Sequence, residues 1–493
     1  MLGLAYALLA ANTAVTVSTP PESFFALVAK NDRDVARKFY KKYLDVGGLP
    51  VVAAGEVADQ ALERTRWIVS HLLAGRPDVL AAMVKNGMYL IIIGKDQKYT
   101  DMPEYRNSPN PDYMNERVRG TGGKPTSFGE ENLLSLPLDR YDDESIGVHE
   151  FCHTIDAAMG SAEPTWRDRR NAAFRNATAK GLWKNTYAGS NSAEFWAEVC
   201  QSYFDNNRVN NWNHGPIGTR EQLKAYDPET YEFVRQAFNL KPEQDWRYSW
   251  LQKLPNVTKP PEKFKVDKYY TKFTWAREFT VVGRGAEDAS LLKANDTIRK
   301  MFAYRHDILK ALIADGVKLV VLGKKERLAD LPEFKGRSDV DLLSRVCGYN
   351  PTKTLVVGEE SQAEVIRVFA DALYRVCAFR PVDPNWDKRG RDVQQYELRV
   401  KRLDVQFDEK LKELYDSAIA SKLWKESSAA NSREAMWTAA VMAYFNAASG
   451  DSVPAGDHPI RTREDLRAYD PALFALVDET MAYAGCVDWR FSP

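Results

Sequence analysis

Residues 88–94, "MYLIIIG", are an unbroken apolar run ending at a glycine, the pattern of a short buried strand. A helical pattern from about Glu56 to Lys85 precedes it, and a loop-rich stretch with Pro and Gly follows over residues 100–140. Helical periodicity then predicts helices around 142–159, 192–206 and 219–240. Asp142 or Asp143 can cap the first of these and Gly160 can close it. The order reads as α+β.

The same order then recurs. "RPDVLAAMVKNGMYLIIIGKDQKYTDMPEYR" (76–106) returns as "RHDILKALIADGVKLVVLGKKERLADLPEFK" (305–335), with Gly87, Gly94, Asp101 and Pro103 matching Gly316, Gly323, Asp330 and Pro332 at one offset. "GLWKNTYAGSNSAEFWAEVCQSYF" (181–204) answers to "SKLWKESSAANSREAMWTAAVMAYF" (421–445), and "TREQLKAYDPETYEFV" (219–234) to "TREDLRAYDPALFALV" (462–477). Solenoid units run to roughly 20–50 residues, so a period this long means two whole domains of similar fold. Residues 20–253 and 271–493 are the expected copies, and residues 254–270, with Pro260-Pro261 and several lysines, read as a linker. Positions common to both copies belong to the fold. Chemistry should appear where they differ.

Composition narrows the classes. The chain has 493 residues, 44% of them hydrophobic and 28% charged, which suits packed cores and excludes disorder. Lys+Arg and Asp+Glu are both 68, so no net field argues for nucleic acid as a partner. No apolar run is long enough to span a bilayer. Residues 1–19 have the apolar stretch and small residues of a secretory signal peptide, without a basic segment: the first cationic side chain is Lys30. Export is the expectation and a cytoplasmic location the alternative.

"VHEFCHTIDAAMG" (148–160) carries two of the six histidines. His149 and His153 are four apart, so on a helix both imidazoles can reach one ion at about 2.0–2.1 Å. Glu150 lies beside them, where its carboxylate can take a proton from water activated there. By composition, H-E-x-x-H is expected about 0.005 times in such a chain. A further ligand has to come from elsewhere. Asp156, three residues past His153, reads as a group that orients a ligand imidazole. Glu194 and Glu198 share a face of a second, aromatic-rich helix, and one or both can point at the ion. The second copy sharpens this. Anchored on the shared tryptophans, Ala435 stands opposite Glu194, Ala439 opposite Glu198 and Ser428 opposite Tyr187. A one-residue gap would put Glu434 opposite Glu194 instead. Opposite the H-E-x-x-H helix stands "EVIRVFADALYRVC" (364–377), which has no histidine.

With Tyr187 seven residues before Glu194 in "YAGSNSAEFWAE", this set resembles the gluzincin metallopeptidase domain of anthrax lethal factor and of the Pro-Pro endopeptidases. The match is confined to about residues 140–206. The resemblance implies a zincin-like fold, one zinc ion held by His149, His153 and Glu194, and Glu150 as general base and acid. It also implies Tyr187 as the phenol facing the developing oxyanion or the leaving amine, and Glu198 as a supporting residue beneath the ligands. This chain departs from the pattern in carrying Cys152 where the family usually has a small residue, and in its tandem copy. The expectation is a zinc-dependent endopeptidase acting on a protein or peptide substrate, its zincin-like domain duplicated and the second copy degenerate. The alternative is a non-enzymatic binding protein with a structural metal site.

Other features are plainer. Cys152 and Cys200 fall on the two ligand-bearing helices, where a disulfide or two core thiols would fit; Cys347 and Cys377 can pair, leaving Cys486 odd. "GTGG" (120–123) reads as a flexible loop ahead of the active helix, and His214 as a solvated loop histidine.

Overall fold

A computed structural model describes residues 16–184, 186–208, 217–252, 254–303, 305–359, 362–377, 406–448 and 460–482. His214, Cys486 and most of the expected signal peptide lie outside them. The protein is mixed α+β, in two compact units, Met1–Leu254 and Pro255–Pro493, each with its own mixed sheet.

In the first unit a hairpin of β1 (Tyr40–Val46) and β2 (Leu49–Ala54) opens the sheet. β3 (Leu90–Ile93) adds parallel to β2, β5 (Thr126–Gly129) adds parallel to β3, and β4 (Gly120–Thr121) closes the edge antiparallel to β5. The apolar run at 88–94 has a simple cause. Leu90 and Ile92 pack into one core and Ile91 and Ile93 into another, so alternate side chains are buried on both faces. The larger core holds α1 (Asp59–Leu72), α2 (Pro77–Lys85), α3 (Ile146–Ala162), α4 (Trp166–Ala179), α5 (Ser192–Tyr203), α6 (Arg220–Tyr226) and α7 (Pro228–Phe238).

Several boundaries differ from the periodicity. The expected helix over 56–85 is two helices, because the chain turns at Gly75, where a Cβ would lie 2.4 Å from the carbonyl oxygens of Phe238 and Asn239. The helix expected over 219–240 is also two, broken where Asp227 caps the second. α3 is capped by Ser145, whose side chain accepts from Val148 N at 3.3 Å, and it runs through Gly160 to Ala162. The stretch 100–140 contains β4 and β5, too short and too polar to register as strands by pattern.

The second unit has β6 (Lys272–Ala276), β7 (Phe279–Gly283), β8 (Lys318–Leu322) and β9 (Thr354–Gly358), again an antiparallel hairpin with two parallel additions. Its helices are α8 (Asp288–Met301), α9 (His306–Ala314), α10 (Gln362–Cys377), α11 (Phe407–Ala420), α12 (Arg433–Tyr444), α13 (Arg463–Tyr469) and α14 (Pro471–Ala482). Residues 254–270 are not a free tether. Thr258 bridges Phe273 as Ser18 bridges Tyr43, and Phe264 packs on Phe273 and Trp275, so this segment opens the second unit. Among the described residues no helix is long and apolar enough to cross a membrane.

Candidate metal centre

α3 and α5 pack side by side, tied by the Trp196 indole N–H donating to the Cys152 carbonyl at 2.8 Å. α5 starts sharply, because the Asn191 side chain accepts from the Ala193 and Glu194 amides at 2.9 and 3.0 Å. Glu194 is thereby fixed in the first turn, facing α3.

Three atoms converge there. His149 Nε2 and His153 Nε2 are 3.2 Å apart, and Glu194 Oε2 is 3.3 Å from each. A tetrahedral ion with bonds of about 2.0–2.1 Å spaces its ligands by about 3.3–3.4 Å. The triangle is therefore of the right size for one divalent cation, and no other such His, Cys, Asp and Glu group occurs among the described residues. Glu194 Oε2 is buried and receives no hydrogen bond, an expense that a cation removes. The titration of the set says the same. Burial works against charge on His149, but the Glu194 and Glu198 carboxylates outweigh it and raise that imidazole well above its ordinary value. Burial also opposes charge on Glu194, yet the two imidazoles bring its carboxyl down to about 2. These donors stabilise positive charge at one point, as a metal site must. The donor set fits a divalent ion of borderline softness.

Glu150 is half-buried beside the triad. Burial raises its pKa, against the two imidazoles, which lower it. The Gly122 backbone, which lies against this turn of α3, lowers it as well. The "GTGG" stretch is thus not a free loop: it forms the sheet edge against α3. A Cβ on Gly122 would sit 2.4 Å from His153 Cβ, and one on Gly120 would sit 2.9 Å from Glu150 Cγ, so both positions need glycine for close approach. Tyr187 lies over the site, its ring 6.2 Å from that of His149 and 21° from parallel.

Glu198, 1% exposed, sits one turn below Glu194, with its Oε1 3.4 Å from His149 Nδ1. Asn207 Nδ2 donates to its Oε2 at 3.2 Å. Asp156 does not orient an imidazole. It accepts from Trp166 Nε1 at 2.7 Å and pairs with Arg170, because the turn after α3 brings α4 back against this end of the helix. Its role is to join α3 to α4. No disulfide joins Cys152 to Cys200 or Cys347 to Cys377; of the two arrangements that fit the first pair, the structure has two buried core thiols.

Two contacting residues escaped the sequence pattern: Gln201, whose Oε1 lies 2.9 Å from His149 Nδ1, and Gly122. Gln201 was legible in principle. Glu194, Glu198 and Gln201 fall at i, i+4 and i+7, one stripe of α5. No protein-family model matches this chain, and a comparison with curated proteins returns no match.

Proposed function

We propose that the chain is a zinc-dependent endopeptidase, with residues 20–253 a catalytic zincin-like domain and residues 271–493 a degenerate copy. The observation that carries the reading is the meeting of His149, His153 and Glu194 at one point, with a carboxylate, Glu150, beside it. Zinc, when bound, supplies Lewis acidity toward water and the scissile carbonyl. Glu150 takes the proton of the attacking water and passes it to the leaving amine; its raised pKa brings it nearer the working pH, where a base that must also act as an acid is effective. Tyr187 offers a phenol to the developing oxyanion or the amine.

A structural metal in a binding protein is the alternative. Structural zinc usually has four protein ligands, whereas three converge among the described residues, the number of a catalytic site that keeps a position for water. A nearby carboxylate base also has no use in such a site.

The test is zinc content by elemental analysis, then cleavage of a peptide library by the native protein and by Glu150→Ala. One zinc per chain is expected, with cleavage only by the native protein. Zinc retained without cleavage in either sample favours the binding reading. No zinc, or undiminished cleavage by the variant, overturns the endopeptidase.

A further inference from the structure

Gln201 is fully buried, at 0% exposure, and a buried amide is costly unless both its ends are partnered. Its Nε2 donates to the Ser145 carbonyl at 3.0 Å, and its Oε1 faces His149 Nδ1 at 2.9 Å. The first bond decides the second. A carbonyl only accepts, so Nε2 must be the end at Ser145, and Oε1 is left to accept from Nδ1. His149 therefore carries hydrogen on Nδ1 and presents Nε2 to His153 and Glu194. Ser145 also caps α3, so this one amide spans from the start of that helix to its first histidine.

Glu198 competes for the same nitrogen, but its Oε1 is 3.4 Å from Nδ1, beyond the usual N–H···O range of about 2.7–3.2 Å. The second unit supplies a control. α5 and α12 begin at matching caps, Asn191 and Ser432, and their tryptophans donate to Cys152 O and Ala370 O. In that register Met442 stands at the place of Gln201, and Arg367 at the place of His149. The helix pair packs without an amide where there is no histidine to hold.

We propose that Gln201 is the positioning residue of His149: an amide, not a carboxylate, sets the tautomer and aims Nε2 at the cation. This rests on the metal reading above. A neutral partner leaves the imidazole less electron-rich than a carboxylate would, and so leaves the ion the stronger Lewis acid.

The experiment measures zinc dissociation constants of the full chain by chelator competition, for the native protein, Gln201→Met, Gln201→Glu and Glu198→Gln. The thermal midpoint of each zinc-free protein is measured beside them. Gln201→Met, which copies the second unit, should weaken zinc by about 10- to 100-fold without lowering the zinc-free midpoint. Gln201→Glu restores an acceptor at Nδ1 and should recover most of that affinity, a rescue that a packing role does not give. Glu198→Gln should cost less than Gln201→Met. Native affinity in Gln201→Met, or a greater loss in Glu198→Gln, overturns the assignment while leaving the metal site standing. No zinc uptake by the native protein overturns the metal reading and this inference with it. If Gln201→Met does not fold, Gln201→Glu decides alone: near-native affinity supports the role and a tenfold loss refutes it.

Discussion

The two units share a frame and differ in one stripe. In both, a tryptophan N–H donates to the aspartate that caps a later helix, Trp183 to Asp227 at 2.9 Å and Trp424 to Asp470 at 3.0 Å. In both, an arginine guanidinium lies on a tyrosine ring and donates to that tyrosine's carbonyl, Arg220 with Tyr203 and Arg463 with Tyr444. Even the glycine at the sheet edge recurs: Gly348 lies against Asp371 as Gly122 lies against His153. On that common frame Glu194, Glu198 and Gln201 become Ala435, Ala439 and Met442, while His149, Glu150 and His153 become Arg367, Val368 and Asp371. The caps fix the register, so Glu434 falls one place before Glu194's counterpart and pairs with Arg375 at 2.9 Å. Frame and chemistry are separable here. The shared contacts hold the helices, and the exchanged positions hold one charge-rich point.

The hardest blow to that contrast is to make the first unit resemble the second. Glu194→Ala removes the only carboxylate of the triad and leaves two imidazoles facing each other at 3.2 Å. Zinc affinity should fall by well over the roughly 100-fold typical of outer-shell changes, and peptidase activity with it. The measurement is chelator competition on the purified full chain; retention of zinc at native affinity would remove Glu194 from the proposed ligand set.

Tyr187→Phe keeps the ring over His149 and deletes only the hydroxyl. If the phenol faces the oxyanion, kcat should drop about 10²- to 10³-fold with zinc content unchanged. A rise in KM at constant kcat would instead make Tyr187 a substrate-binding ring. The reverse experiment builds the site into the second unit with Arg367→His, Asp371→His and Ala435→Glu. Zinc per chain should rise from one to two, the new site binding about 10- to 100-fold more weakly because Met442 gives the new imidazole no acceptor. No peptidase activity should accompany it, since Val368 supplies no base. Zinc staying at one per chain would mean that the frames differ more than their shared contacts suggest.

Much of this was legible in the sequence, for reasons that also mark where legibility stops. The duplication and the triad register as spacing, because i, i+4 geometry and a constant offset survive without coordinates. Gln201 also obeys helical spacing, but a lone glutamine among Phe, Trp and Val carries no signal until His149 is seen opposite it. Asp156 misled because three residues past a histidine is a helix-face argument, whereas its partner is set by the turn that returns α4 to α3. β4 is two residues long and rich in glycine, so its place beside Glu150 follows from pairing with β5, a contact no local pattern encodes.

The smallest effect concerns a carboxylate that both units keep but treat differently. Glu104 accepts from Tyr40 OH at 2.5 Å and Tyr89 OH at 2.9 Å, and burial raises its pKa against those bonds. Its counterpart Glu333 accepts from Tyr270 OH at 2.6 Å but pairs its other oxygen with Lys318 at 2.7 Å. A raised carboxyl contributes stability that is fully present below its unfolded pKa and is lost as pH rises through its folded value. Glu104→Gln removes that titration. In acid the variant should stay within about 1 kcal/mol of the native protein, and it should gain on it as the pH is brought to neutrality. Glu333→Gln should instead cost about 1–3 kcal/mol at neutral pH, because it strands the Lys318 ammonium. Urea unfolding at pH 4 and pH 7 reads both. A Glu333→Gln variant as stable as the native protein at pH 7 would mean that Lys318 contributes nothing to how this position is held.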